Sequence, residues 1–176
     1  MKAFVSGQIK EKDRIRGVYA KLSEIGVEVT HDWTTTDDIV GIYSENKHEA
    51  SLRAERDIRG VKDADIYILI TDNKQRGKGM YVELGAALAL AELKGSPKVF
   101  IVGPLNHESI FYHHPLSRHF KDLTSCLLMI QEMVDQVQEV SSKKAPPKPI
   151  PKPHRSDRYL RGRRNRDDGR MRDSSG

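Results

Sequence analysis

One carboxylate stands among small apolar residues in the segment Gly77–Ala89, which reads GKGMYVELGAALA. Good helix formers at Val82–Leu93 predict a helix, and at about 100° per residue Glu83 shares a face with Ala86 and Leu90. That face should point inward, where a lone charge is costly unless it is compensated. The simpler alternative is a first-turn glutamate whose carboxylate lies in solvent and is stabilised by the helix dipole. Under the first interpretation Glu83 is a candidate catalytic group.

A second carboxylate shows the same pattern. The segment EASLRAERDIRGV predicts a helix in which Asp57 lies on one stripe with Ala54, Ile58 and Val61. This helix precedes the third predicted strand and the helix with Glu83 follows that strand, so the two carboxylates should flank it. The structural alternative is that Asp57 pairs with a buried arginine or caps backbone groups.

Alternating strands and helices must position these two side chains. The predicted strands are Lys2–Gly7, Val27–His31, Ala64–Thr71 and Lys98–Gly103, with a short fifth strand near Arg118–Lys121. The predicted helices are Lys12–Ile25, Glu45–Lys62, Val82–Leu93 and a last helix that Asp122 caps. This alternation predicts an α/β fold, a doubly wound parallel sheet of about five strands covered on both faces.

Ligands of such sheets bind beyond the carboxyl ends of the strands, near the topological switch point. The carboxyl ends of the predicted strands are at Ser6–Gln8, His31–Trp33, Thr71–Asp72 and Gly103–Pro104. Because the helix with Glu83 begins after the third strand, we expect Glu83 to face this cleft. His31 and Asp72 are candidate substrate-binding residues at the same edge.

The net charge of +5 comes from the C-terminal part of the 176-residue chain. Residues 141–176 carry 12 Lys or Arg against four Asp, whereas residues 1–140 carry 18 basic and 21 acidic residues. We therefore divide the chain into an α/β domain, residues 1–140, and a basic Pro- and Arg-rich tail, residues 141–176. The tail has too few apolar side chains to offset its ordering entropy, so we expect disorder. It is expected either to contact RNA and other polyanions weakly or to act as a solubilising extension.

The number of cysteines and the hydropathy of the chain indicate where in the cell the protein is expected. Cys126 is the single cysteine, so the chain cannot form an internal disulfide framework. No stretch approaches the roughly 18 apolar residues of a membrane span, and the first residues do not resemble a signal peptide. We expect a cytoplasmic protein without membrane contact.

The sequence does not contain the common nucleotide and metal motifs. Gly77-Lys78-Gly79 lacks the spacing of a P-loop, and no G-x-G-x-x-G opens the first helix. The adjacent His113 and His114 would diverge on a strand and have no third ligand placed beside them. We therefore predict neither a cofactor nor a metal.

Three segments carry a resemblance to a known family: FVSGQI near the start, DIRGVKDADI from Asp57, and GKGMYVELGAALA. Together they resemble the nucleoside 2-deoxyribosyltransferase family, which includes the 2′-deoxynucleoside 5′-monophosphate N-glycosidases. The resemblance covers residues 3–120 and implies a flavodoxin-like parallel sheet. By position it implies that Glu83 is the nucleophile, that Asp57 assists it, and that the loop Gly7, Gln8 and Ile9 borders the sugar and the phosphate.

The family resemblance also implies a homodimer or higher homo-oligomer. Its members lend each other's sites a segment that matches Phe111–Phe120, which reads FYHHPLSRHF here. His113, His114 and Ser117 are the candidate substrate-binding residues of this segment. The same segment is aromatic and rich in histidine but lies outside any periodic element, which also favours a role at an interface.

Two departures from the family favour hydrolysis over base exchange. The transferases carry an aspartate shortly before E-L-G that handles the leaving base, whereas this loop contains Lys74, Gln75 and Lys78, and Asp72 is the only nearby acid. The transferases also place their own C-terminus in a neighbour's site, where this chain has its basic tail.

The loop Thr71–Gly79 is the predicted phosphate site. Arg76 and Lys78 lie between a strand end and a helix N-terminus, a position that favours anions. Gly77 and Gly79 would let the backbone approach a ligand closely. We therefore expect 5′-monophosphates to be better substrates than free nucleosides.

These observations predict cleavage of the N-glycosidic bond of (2′-deoxy)nucleosides or their 5′-monophosphates, with a Glu83 nucleophile and a glycosyl-enzyme intermediate. The alternatives are base exchange by a nucleoside 2-deoxyribosyltransferase and a nucleotide-binding module of the same fold without turnover. A further alternative assigns the function to the tail as an RNA- or protein-binding arm.

Overall fold

Five parallel strands alternate with four α-helices in a computed structural model, which describes residues 1–37, 39, 41–71, 78–105 and 109–143. The strands are β1 (Lys2–Ser6), β2 (Glu28–Val29), β3 (Ile66–Ile70), β4 (Lys98–Val102) and β5 (Ser117–Phe120). The helices are α1 (Lys12–Glu24), α2 (Lys47–Lys62), α3 (Lys78–Lys94) and α4 (Leu123–Lys143). None of the helices in these ranges has the length and apolar character of a membrane-spanning segment.

The strand order is β2-β1-β3-β4-β5, which is the flavodoxin-like order, and its switch point lies between β1 and β3. Ser6 at the end of β1 is in register with Leu69 near the end of β3. The predicted fold class, an α/β parallel sheet with helices on both faces, is therefore confirmed.

Side chains that alternate along the strands build two apolar layers. Val5, Ile68 and Val102 belong to the layer that packs on α1 and α4. Phe4 and Tyr67 belong to the layer that packs on α2 and α3. Because both faces are covered, all five residues of β3 are buried, and the strand reads as a continuous apolar run.

Two element boundaries differ from the prediction in ways that affect the site. Strand β2 has only two residues and pairs with β1 at the edge of the sheet. Helix α3 already includes Lys78 and Gly79, which were predicted to lie in a loop. Glu83 therefore lies in the second turn of α3 rather than the first.

The C-terminal elements agree in part with the sequence. Asp122 caps α4 as predicted, because its Oδ1 accepts a hydrogen bond from the Ser125 amide at 2.9 Å. Helix α4 continues to Lys143, beyond the predicted start of the tail, while residues 144–176 lie outside the described residues. The predicted short fifth strand near Arg118–Lys121 is confirmed as β5, whereas the residues before it, expected to lie outside any periodic element, hold a 3-10 turn (Ile110–His113).

A glycine allows α2 to lie close against β1. A Cβ on Gly60 would come within 2.7 Å of the buried Phe4 ring and 2.9 Å of the His31 Cβ. The Gly60 carbonyl accepts a hydrogen bond from Thr30 Oγ1 at 2.8 Å, which fixes the helix against the chain after β2. This close approach places Asp57, one turn earlier in α2, beside His31.

Candidate active site

Glu83 points from α3 to the carboxyl end of β1. Its Oε2 accepts a hydrogen bond from the Ser6 hydroxyl, and Ser6 is the fully buried last residue of β1. A hydrogen bond also links Ser6 to Tyr67 on β3, whose hydroxyl donates to the Met80 carbonyl at 3.2 Å. The carboxylate is thus fixed by the two strands that form the switch point, where ligands of this fold bind.

Asp57 approaches the same edge from α2. Its Oδ1 lies 3.4 Å from Nε2 of His31, and both side chains are less than one-third exposed. Among the residues that the structure describes, this buried oxygen has no hydrogen-bond partner. Buried acceptors without a partner are uncommon, and at a functional site they mark a position where a ligand donor fits.

Burial raises the pKa of both carboxyl groups. The pKa of Glu83 rises to about 8, because burial outweighs the opposing hydrogen bond from Ser6, and the negative charge of Asp57 adds to the rise. Burial also raises the pKa of Asp57, against the charges of His31 and Arg53. At neutral pH the free site therefore holds Glu83 mostly protonated, unlike the solvent-exposed, dipole-stabilised carboxylate that the sequence offered as the simpler alternative.

Tyr19 is a further polar group of this edge that sequence patterns did not reveal. Its buried hydroxyl has no hydrogen-bond partner within the described part of the chain. Burial is the main cause that raises the pKa of Tyr19, and the negative charges of Asp32, Glu83 and Asp57 raise it further. Its spacing between Ile15 and Leu22 is that of an ordinary helix position facing the core, so no signal in the sequence distinguished it.

Ser6 and Tyr67 were also missed as functional residues. Ser6 was noted as the end of a strand, and Tyr67 lies within an apolar run that predicts a strand core. Ser6 contacts Glu83 and Tyr67 contacts Met80, and periodicity within one element cannot reveal contacts between separate elements.

The predicted sugar loop lies directly after β1, next to Ser6. A Cβ on Gly7 would lie 2.5 Å from Cδ1 of the buried Ile15, so glycine lets the chain run close to α1 here. Gln8 is buried and its Oε1 accepts from the Ile9 amide at 3.0 Å, while Ile9 is half exposed. The structure thus brings this loop to the edge where Glu83 lies.

The predicted phosphate loop is described only at its ends. Lys78 is exposed in the first turn of α3, and a Cβ on Gly79 would lie 3.9 Å from Oε1 of Glu83, which is ordinary contact. The other residues predicted to bind substrate in this segment lie outside the described residues: Asp72, Arg76 and Gly77.

The histidine segment packs on α3 through Tyr112, whose hydroxyl lies 3.2 Å from that of Tyr81. Ser117 opens β5 in register with Val99 near the start of β4, and β5 is separated from β1 and Ser6 by β3 and β4. Its hydroxyl donates to the Phe111 carbonyl at 3.1 Å, and Nδ1 of His114 accepts from the Leu116 amide at 3.2 Å. His113 is exposed. A role for His113, His114 and Ser117 in a neighbouring subunit stays a prediction.

Within the described ranges, no three His, Cys, Asp or Glu side chains come together as metal ligands. Cys126 is fully buried in the layer under α4, and burial raises the pKa of its thiol. It contributes to packing there rather than to chemistry.

Comparisons with known proteins found a similar solved structure but no matching protein family. No protein-family model and no curated protein matches the sequence. Among solved structures, the chain is similar to a CMP N-glycosidase from Clostridium botulinum, with a TM-score of 0.49 and 18% identity over 76% of this chain and 99% of that chain. At that identity, the chemistry of this chain has to be derived from its own side chains.

Proposed function

We propose that the protein cleaves the N-glycosidic bond of (2′-deoxy)nucleosides or their 5′-monophosphates, and that it favours hydrolysis. The observation that carries this proposal is the position of Glu83, which is hydrogen-bonded by Ser6 at the switch point with Asp57 on the neighbouring helix. A pair of carboxyl groups at one ligand edge is the arrangement with which proteins cleave glycosidic bonds.

Glu83 is the proposed nucleophile. Once it has lost its proton, one carboxylate oxygen attacks C1′, the C1′–N bond breaks, and its electron pair leaves with the base nitrogen. Water then attacks C1′ and gives its proton to Asp57, the ester bond breaks, and the Glu83 carboxylate is restored. The Ser6 hydroxyl supports this role because it stabilises the ionised form that attacks.

Asp57 is the proposed proton donor. Its raised pKa keeps the protonated form available at higher pH than an exposed aspartate would allow, so it can protonate the departing base. Its Oδ1, which has no hydrogen-bond partner among the described residues, provides an acceptor for a sugar hydroxyl or a base N–H. The nearby His31 then balances the negative charge that remains after the transfer.

Replacement of the nucleophile tests the proposal directly. Glu83→Gln should lower the rate of base release from deoxynucleoside 5′-monophosphates by a factor on the order of 1,000 or more, measured by HPLC. Glu92→Gln is the matched control, because Glu92 is an exposed glutamate of the same helix. Mass spectrometry of the wild-type protein during turnover should show the added mass of the glycosyl group. Equal rates for Glu83→Gln and the control would eliminate the nucleophile role of Glu83, and no base release by the wild type would eliminate the proposed function.

The same assay separates hydrolysis from base exchange. With a second free base present, a hydrolase releases sugar or sugar phosphate, whereas a transferase forms the nucleoside of the added base. We expect release of the sugar product to dominate. Base exchange as the main reaction would assign the site to a deoxyribosyltransferase, and substrate binding without any turnover would assign it to a binding module.

A phosphate contact through Lys78 would make 5′-monophosphates the better substrates. Lys78 is exposed in the first turn of α3, where backbone N–H groups also favour an anion. Lys78→Ala should lower kcat/KM for monophosphates about 10-fold and leave free nucleosides little changed, since a charge-assisted contact contributes roughly 1.5 to 3 kcal/mol. Lys94→Ala in the last turn of α3 is the control. An equal effect on both substrate classes would contradict a phosphate role.

We also propose that the active protein is at least a dimer through the segment around β5. Ile110, Phe111 and Leu116 are exposed apolar side chains beside His113 and His114, and such a group favours association. Light scattering at micromolar concentration should give a mass of two subunits or more. An active monomer would contradict this proposal while leaving the role of Glu83 intact.

A further inference from the structure

A cavity opens on the face of the sheet away from Glu83 and Asp57. It has a volume of about 280 Å³ and lies between α1 and the start of α4, beyond the carboxyl ends of β3 and β4. Its floor includes Ile70 and Val102, which belong to the apolar layer that packs on α1 and α4. Glu83 and Asp57 approach the sheet from the opposite layer, on α3 and α2, so this groove is distinct from the proposed active site.

The helix side of the groove has a gap between two cations. Arg14, Gly17 and Lys21 all line it, three and four residues apart, and therefore lie on one face of α1. A Cβ added to Gly17 would meet no atom within 4 Å, so the space in front of it is open. Glycine is unfavourable inside a helix compared with alanine, and no packing contact here requires it. The missing side chain widens the groove between Arg14 and Lys21.

A third cation faces this gap from the other wall. Lys121 and Asp122 line the groove in front of α4. The Asp122 carboxylate is already engaged, because it accepts a hydrogen bond from the Ser125 amide at 2.9 Å. Arg14 has Glu11 at 3.7 Å as a partly exposed partner. Three cations around one cavity are a local concentration, since residues 1–140 carry 18 basic and 21 acidic residues.

We propose that this groove binds a phosphorylated organic small molecule of about the size of a sugar phosphate. The cations of the two walls would take the phosphoryl group, since Lys and Arg are the usual side-chain partners of phosphate. The apolar floor would contact the organic part of the ligand. Inorganic phosphate has no such part and would leave the floor uncovered. The volume lies near the lower end of the range for small-molecule sites, which is roughly 300 to 1,000 Å³. The inference does not depend on the reaction proposed for Glu83.

Phenyl phosphate is a suitable probe, because it joins a dianion to a small apolar ring. Titration of the full chain, followed by the backbone amide NMR signals, should move the signals of Gly17 and Gly103, which line the groove. Binding should weaken with added salt, since it rests on charge. Phenol should not bind, and pyrophosphate should bind more weakly than phenyl phosphate. Tighter binding of pyrophosphate would overturn the assignment of an organic ligand.

Two glycines give a matched pair of variants. Gly17→Met fills the groove, whereas Gly85→Met adds the same side chain at another exposed helical glycine where a Cβ meets nothing within 4 Å. Gly17→Met should weaken binding at least about 10-fold, and Gly85→Met should leave it unchanged. The double variant Lys21→Gln and Lys121→Gln should weaken it by a similar factor, and it keeps the test valid if Gly17→Met misfolds. Absence of binding at millimolar probe, or binding unaffected by these changes, would overturn the proposal.

Discussion

The two faces of one sheet edge carry different ionisable groups, buried carboxyl groups on one face and exposed basic side chains on the other. On the side of α2 and α3, Asp57 and Glu83 lie close to Ser6, and burial has raised the pKa of both carboxyl groups. On the side of α1 and α4, Lys21 and Lys121 line an open groove and are exposed. Alternation along β1, β3 and β4 sends neighbouring strand residues to different layers, so the same strand ends support both.

The difference in burial between the two groups suits them to different functions, reaction chemistry for the buried carboxyl groups and anion binding for the exposed cations. A carboxyl group that is poorly solvated changes its proton affinity, which suits proton transfer and attack on carbon. A cation at an exposed rim keeps its hydration and serves to attract an anion without changing it. The acidic side therefore has the features of a reaction site, and the basic side has those of a binding site.

Replacement of Asp57 should lower the rate of nucleotide cleavage more than any other change except loss of the Glu83 nucleophile. We expect Asp57→Asn to lower kcat for nucleotide cleavage about 100-fold or more, because the departing base loses its proton donor. Glu55→Gln, at an exposed position of α2, is the control. Phenyl phosphate binding in the groove should be unchanged. A full rate for Asp57→Asn would exclude the proton-donor role.

Neutralisation of Glu83 should stabilise the fold at neutral pH. The folded pKa of about 8 exceeds the ordinary value of 4.5, so the folded state holds the proton more tightly than the unfolded chain. This contribution is complete below the ordinary value and is lost as pH rises through the folded value. Relative to wild type, Glu83→Gln should therefore gain about 3 kcal/mol of unfolding free energy at pH 7, at about 1.4 kcal/mol per pH unit above the ordinary value.

Urea unfolding at several pH values tests whether Glu83→Gln is more stable than wild type, as predicted. The advantage of Glu83→Gln should grow between about pH 5 and pH 8 and then level off, whereas Glu92→Gln should show no such trend. A Glu83→Gln protein that is less stable than wild type throughout this range would show that the carboxylate is compensated and that its burial costs little.

The smallest expected effect is a shift in the pH dependence of the reaction. In the wild type, kcat/KM should fall as pH drops below about 8, because the attacking carboxylate becomes protonated. Ser6→Ala removes the hydrogen bond that favours the ionised form, so this limb should move to higher pH. Asp57→Asn removes a negative charge and should move it to lower pH. Shifts in the same direction for both variants would contradict the arrangement of the three groups.

Local patterns were sufficient for the architecture and for the two main carboxylates. Alternation of strands and helices predicted the parallel sheet, and helical spacing placed Glu83 and Asp57 on faces directed at it. Both are short-range signals, because each depends on residues within one element. The start of α3 and the length of β2 were not predictable in this way, since contacts with other elements decide where an element begins and ends.

Tertiary structure decided the protonation of the site and the existence of the groove. Ser6 and Glu83 are 77 positions apart, and Arg14 is more than 100 residues from Lys121, so no periodic pattern connects either pair. The sequence left open a solvent-exposed Glu83 carboxylate stabilised by the helix dipole, but burial raises the pKa of Glu83 to about 8. Sequence determines which groups can carry charge; the depth at which folding places them determines whether they do, because the solvation of a charge depends on everything packed around it.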